Sequence, residues 1–170
     1  MTNNIKPVIF SGKTIPGYFI SPIGEVWSTR VPVRTNGIIT HYSNDGPMVS
    51  LTPKPWNKRQ DYLCVRLAIP YGLLSNDYHY QKKRKNLNRK TYQRKVYVHR
   101  LVMETFKPIE YYPPIRLKPY WSDLPQPVKQ IINEMIYVNH IDHVQTNNNI
   151  SNLEWVTPQE NAIKSANFYS

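Results

Sequence analysis

The 170-residue chain contains a single cysteine, Cys64. One thiol cannot close an internal disulfide or build a cysteine-rich zinc site, so neither is expected. This usage is compatible with a reducing cytoplasm. In DYLCVRLAI, Cys64 sits between Leu63 and Val65 in a strand-like run, the setting of a small buried side chain rather than of a nucleophile. No apolar run approaches the ~18–20 residues that a membrane span requires, so no membrane partner is expected. The opening residues, MTNNIKPVIF, lack the charged start and long apolar stretch of a secretory signal.

Acidic residues are also scarce. There are 11 of them against 22 lysines and arginines, a net charge of +11. A surplus of that size points to a polyanionic partner, and nucleic acid is the commonest one. Fifteen prolines and thirteen tyrosines favour strands, turns and extended connections over a helix bundle.

Residues 1–80 read as β-rich. GYFISPIGEVWSTR holds a strand, a turn at Ser21–Gly24 and a second strand around Glu25–Ser28. GPMVSLTP and DYLCVRLAIP are further short strands, and RTNGIITHYSNDG carries Asn-Gly and Asp-Gly turn pairs. The character then changes. In residues 81–95, QKKRKNLNRKTYQRK, eight of fifteen residues are Lys or Arg and none is acidic. Such a block repels itself and suits phosphate contact, through Lys82, Lys83, Arg84, Lys85, Arg89, Lys90, Arg94 and Lys95.

Downstream, Lys95–Val98 reads as a strand and His99–Phe106 as a helix with Leu101, Val102, Thr105 and Phe106 on one face. Residues 107–121 are rich in Pro and Tyr, as an extended connection would be. SDLPQPVKQIINEMI suits a short helix capped by Ser122 or Asp123, with Val128, Ile131, Ile132 and Met135 or Ile136 as its inner face.

The stretch VNHIDHVQTNNNISNLEWVTPQENAIKS, Val138 to Ser165, holds six asparagines and two histidines, the first of them, His140, between Asn139 and Ile141. MIYVNHI reads as a strand, DHVQTNNNISN as a polar turn and LEWVT as a second strand. TPQENAIKSA reads as a helix capped by Thr157, with Pro158 at its first position and Glu160 three residues after the cap. The unit is ββα, with Leu153, Trp155 and Val156 packing the strands onto the helix through residues such as Ile163. Asn139 and His140 then leave the first strand near the helix, and Asn161 lies one turn into it. Two side-chain oxygens with open positions suit Mg²⁺, which keeps waters and takes phosphate oxygens. A neighbouring His140 could take a proton from water.

VHRLVMETF followed by VNHIDHVQTNNNISNLEWVTPQEN resembles the HNH (ββα-metal) nuclease motif of phage homing endonucleases. The family pattern runs approximately V-H-R-L-V, then V-[ND]-H-x-D-G-N-x-x-N-N-x-x-x-N-L-x-W-V-T-x-x-x-N. GYFISPIGEV is similar to the small β-rich DNA-binding module that often precedes it. The resemblance implies an α+β chain. Residues 1–94 would be an antiparallel β-rich DNA-binding module with the basic loop at its end. Residues 95–170 would be the nuclease unit, with an insert at 107–137. It implies His140 as general base, Asn152 as the central Asn bracing the loop, and Asn139 and Asn161 as ligands of one Mg²⁺ or Mn²⁺ per active site. His99 and Arg100 join the DNA-facing set. The partner would be double-stranded DNA, and the location the cytoplasm, the host's if the chain is phage-encoded. The family's usual glycine after the aspartate is His143 here, which implies a different turn shape. The expectation is therefore metal-dependent, site-specific cleavage of a DNA phosphodiester. The alternatives are a catalytically decayed DNA-binding protein on the same scaffold and an RNA-binding basic protein.

Overall fold

The computed structural model describes residues 4–58, 60–74 and 91–168. The first hairpin joins β1 (Lys6–Phe10) to β2 (Lys13–Ile20) through Ser11 and Gly12, both at positive φ. That backbone sense matches the twist of paired strands. Ser21–Gly24 then turns the chain into β3 (Val26–Ser28), antiparallel to β2. A second hairpin, β4 (Val31–Thr35) and β5 (Ile38–Ser43), turns at Asn36-Gly37 and stands as its own two-stranded sheet. Next, β6 (Val49–Leu51) returns to β3, completing the order β1-β2-β3-β6.

The third sheet has the order β7-β8-β9, from β7 (Lys54–Asn57), β8 (Gln60–Pro70) and β9 (Thr91–Tyr97). Helix α1 (Val98–Phe106) leaves β9 without a break. A 3-10 turn, Lys118–Asp123, and helix α2 (Gln126–Met135) follow. The chain ends in the hairpin of β10 (Tyr137–His140) and β11 (Leu153–Val156) and in helix α3 (Pro158–Phe168). Strands dominate and helices are few, so the α+β expectation holds.

Helix α1 is the hub. Val98, Leu101 and Val102 are fully buried, and each such side chain contributes about 1.5–3 kcal/mol. They meet Val8, Ile15 and Ile20 of the first sheet, Leu67 and Ile69 of β8, and Leu153 and Trp155 of β11 in one hydrophobic cluster. Cys64 is buried, as its strand context implied. Among the described residues no helix is long and apolar enough to cross a membrane.

Two packing expectations fail. In α2, Val128, Ile131 and Met135 face solvent, while Ile132 is half-buried and Ile136, just past the helix, is buried. One narrow i, i+4 line meets the core, so the helix lies on it by an edge. Neither Ser122 nor Asp123 caps it. They sit in the 3-10 turn, bonded to each other, and Pro125 occupies the cap position. In α3, Ile163 is 43% exposed. Successive strand residues point to opposite faces, so Leu153 and Trp155 turn to α1 while Glu154 and Val156 turn to α3. The hairpin is thus covered on both faces, and α1 takes the larger side chains.

Arg100, expected in the DNA-facing set, is half-buried and bonded within the protein. Its guanidinium donates to Glu104 Oε1 (2.8 Å), Ile136 O (2.9 Å) and Asn133 O (2.9 Å). It also lies 4.9 Å from the Trp155 ring centroid. Glu104 in turn accepts from the Ser11 backbone N–H, so α1 is pinned to the β1–β2 turn. Burial pushes the Glu104 carboxyl up, against the pull of Arg100. The Arg100 bonds commit one hydrogen on each guanidinium nitrogen to the interior. Removing one partner of such a pair leaves the other uncompensated. Arg100→Ala is expected to cost about 3–5 kcal/mol. The measurement is chemical denaturation, and a loss below about 1 kcal/mol would show that the node is not a stabilising one.

Candidate active site around His140

The hairpin register sets the site. His140 pairs with Leu153 and Asn139 with Glu154. Alternation sends His140 inward toward α1, where it is 4% exposed, and sends Asn139 toward α3. The loop between the strands is closed by Asn152. Its Oδ1 accepts from Asp142 N (3.0 Å), while its Nδ2 donates to Asp142 Oδ1 (2.8 Å) and Asn147 O (3.0 Å). Its backbone O accepts from Ile141 N (2.9 Å). Bracing by Asn152 is thus visible as bonds across the loop's two ends. Asp142 Oδ2 also accepts from Asn147 Nδ2 (2.6 Å), and its Oδ1 from Val144 N (2.9 Å). These bonds, Asn147's first, hold the Asp142 carboxyl below its usual range.

His143 has φ +59°, so it adopts the left-handed conformation that a glycine would supply. The substitution does not change the sense of the turn. The Asp142 side chain, bonded two residues ahead, holds that geometry locally.

The His140 ring lies in an aromatic setting. The His99 ring meets it edge-on, with centroids 5.2 Å apart and planes at 88°, and the Tyr62 ring lies 5.6 Å away. His140 Nε2 is 3.4 Å from Asn148 Oδ1. Burial lowers the His140 pKa, against the opposing pulls of Asn148 and Asp142. His99 is buried, stacks on Tyr97 at 5.0 Å and has an Nδ1 without a hydrogen-bond partner. It is therefore an interior residue in this structure. Burial first, then His140 and Arg100, lowers its pKa to about 3.

Asn139 Nδ2 donates to Glu154 Oε1 (2.8 Å), which also accepts from Lys164 Nζ (2.6 Å). With its amide nitrogen committed, Asn139 offers Oδ1 as its ligand atom. Asn161 is half-exposed near the start of α3, behind a capping box in which Thr157 N donates to Glu160 Oε2 (2.8 Å) and Glu160 N to Thr157 Oγ1 (3.2 Å). Oxygen donors of this kind fit a hard divalent cation. Among the described residues no three His, Cys, Asp or Glu side chains gather as a metal cluster, so a site here rests on the amides.

Of the basic set, Lys82, Lys83, Arg84, Lys85, Arg89 and Lys90 lie outside the described residues. Arg94 lies over the Phe10 ring at 5.3 Å. Lys95 lies over the Trp56 ring at 4.5 Å and donates to Trp56 O. Both are half-buried on β9.

Three neighbours went unread in the sequence: Asn148, Glu154 and Lys164. Pairing the two strands around the polar turn would have set Glu154 opposite Asn139. The family pattern holds asparagine at both 147 and 148, and nothing local says which of the two faces His140. The β-rich half also reaches the loop, because Ile150 N donates to Pro22 O (2.7 Å) and Asp61 N to Gln145 Oε1 (3.2 Å).

Two expected outcomes follow from this geometry. An unfolded His99 titrates at its ordinary 6.5, whereas the folded one stays neutral down to about 3. Between those values the unfolded state binds the extra proton, so His99 makes stability fall as pH falls, by up to about 1.4 kcal/mol per pH unit. His99→Phe should flatten that slope relative to the parent in paired denaturation curves, and parallel slopes would refute it. His143→Gly should leave stability unchanged or raise it by up to about 1 kcal/mol, because relief of the left-handed strain offsets glycine's entropy cost. A drop of melting temperature on that change would contradict the assignment.

Comparison with known proteins places this segment. Residues 132–163 match the family model for HNH endonucleases. An uncharacterised HNH endonuclease of Acanthamoeba polyphaga mimivirus is 61% identical over 31 residues, which is 18% of this chain and 9% of that protein. The solved HNH homing endonuclease I-HmuI, described as binding and cleaving DNA, superposes with a TM-score of 0.48 at 19% identity. That superposition covers 96% of this chain and 58% of the other. The segment from Ile132 to Ile163, which contains His140, Asn152 and Asn161, thus carries the HNH endonuclease motif.

Proposed function

We propose that the protein is a DNA endonuclease of the homing-endonuclease kind, hydrolysing a phosphodiester with His140 as general base. The observation that carries this is the environment of His140. A buried imidazole with a lowered pKa is neutral at physiological pH and can accept a proton. It stands at the end of a strand beside an amide whose Oδ1 is its available ligand atom.

Each residue has a part in this scheme. His140 removes a proton from water, and the resulting hydroxide attacks phosphorus in line as the bond from phosphorus to the 3′ oxygen breaks and that oxygen leaves, taking a proton from solvent. Asn139 Oδ1 and Asn161 would hold one Mg²⁺ or Mn²⁺. When bound, that cation stabilises charge on the phosphoryl and leaving oxygens. Glu154, anchored by Lys164, holds the Asn139 amide by its Nδ2 and leaves Oδ1 as the ligand atom. Asn152 keeps the loop closed and the strand end in place. Residues 1–94 serve as the DNA-binding module, and residues 95–170 as the nuclease unit. The basic residues 82–95 contact phosphates, which position the duplex, while base edges in the grooves specify it. One site per chain cuts one strand per binding event, so a double-strand break takes a second copy or a second turnover.

General-base catalysis contributes roughly 10²–10⁴-fold. His140→Ala is expected to lower Mg²⁺-dependent nicking of supercoiled plasmid by that factor and to change duplex affinity little. Chelation should stop nicking, and Mg²⁺ or Mn²⁺ should restore it. A variant that nicks at the parent rate would remove His140 from the mechanism. Salt-sensitive duplex binding by a parent protein that never nicks would instead fit a decayed scaffold.

A further inference from the structure

We infer that Asn148 is a positioning residue for His140, selecting the imidazole tautomer that carries its hydrogen on Nε2. Asn148 is 4% exposed, the most buried asparagine of the loop. Its Nδ2 donates to Thr146 O at 3.2 Å. That bond decides the amide's orientation, because the reversed amide would set Oδ1 against a carbonyl oxygen. Oδ1 therefore faces His140 Nε2, at 3.4 Å. An oxygen acceptor there requires Nε2 to be the donor, so the lone pair of the neutral ring lies on Nδ1. A long contact still selects between tautomers, since the other one would place two lone pairs face to face.

The amide is held from two directions. A Cβ on Gly24, in the turn between β2 and β3, would lie 2.7 Å from Asn148 Cβ and 3.2 Å from Val98 Cγ1. Nearby, Ile150 N is tied to Pro22 O at 2.7 Å. The turn between β2 and β3, packed at Gly24 against Asn148 and Val98 alike, thus backs the loop beside His140. The β-rich half completes the site from behind, in addition to any role it has in contacting DNA. The three consecutive asparagines then separate by task. Asn147 bonds Asp142, Asn149 accepts from Ser151, and Asn148 faces the histidine.

The catalytic consequence rests on the function proposed above, but the tautomer does not. Long-range ¹H–¹⁵N correlation spectra of the intact free protein report which imidazole nitrogen is protonated. In the parent, His140 should show a protonated Nε2 and an unprotonated Nδ1. Asn148→Ala and Asn148→Leu, the second of which keeps the packing volume against Gly24, should both lose that pure signature. In nicking assays both should lower kcat by roughly 10- to 100-fold, the usual cost of removing an imidazole's orienting partner, with KM little changed. A parent ring protonated on Nδ1, or an unaltered tautomer in a folded Leu variant, would overturn the inference. If the variants lose the parent's tautomer signature but the parent never nicks, Asn148's part is upheld and only the nuclease proposal fails.

Discussion

Everything near His140 depends on the closure of one loop by the exchange between Asp142 and Asn152. The Asn152 amide both accepts from the Asp142 backbone and donates to its carboxylate. Because the two residues stand at opposite ends of the loop, these bonds fix its width. Charge-assisted hydrogen bonds are roughly twice as strong as neutral ones, so a carboxylate is an effective centre for such a closure. It holds the end of β10, which carries His140, beside the start of β11.

A second constraint comes from the other half of the molecule. Helix α1 joins the first sheet, the β7-β8-β9 sheet and the final hairpin in one cluster, and Arg100 ties its polar side to the chain before β10. The nuclease-like hairpin therefore does not sit on a flexible tether. Its inner face is the same cluster that holds β1 and β2. This gives a physical reason for the interior position of His99 and Arg100. Both lie in the first turn of a helix whose Val98, His99 and Leu101 are buried, so the polar atoms of His99 are desolvated and those of Arg100 bond to neighbouring carbonyls and Glu104.

Local sequence signals carried much of the fold. The Asn36-Gly37 turn, the Ser21–Gly24 turn, the strand of DYLCVRLAI and the Thr157–Glu160 capping box all appear where the chain's own chemistry places them. Facing was less legible. Val128, Ile131 and Met135 have helical spacing, yet spacing defines a face without saying which body covers it. Ile163 failed for the same reason, since α1 had already taken Leu153 and Trp155.

The candidate site divides along that line. The order of Asn139, His140, Asn152, Glu160 and Asn161, and the ββα unit they sit on, were set by residue type and short-range spacing alone, because caps, turns and strand alternation act over a few residues. Tertiary structure decided the rest. It turned His140 against His99 and Tyr62, drew Asn148 rather than its neighbours to the imidazole, and brought Pro22 and Gly24 behind the loop. Those contacts join residues far apart in the chain, and their formation depends on which bodies pack together, a property that no short stretch of sequence carries.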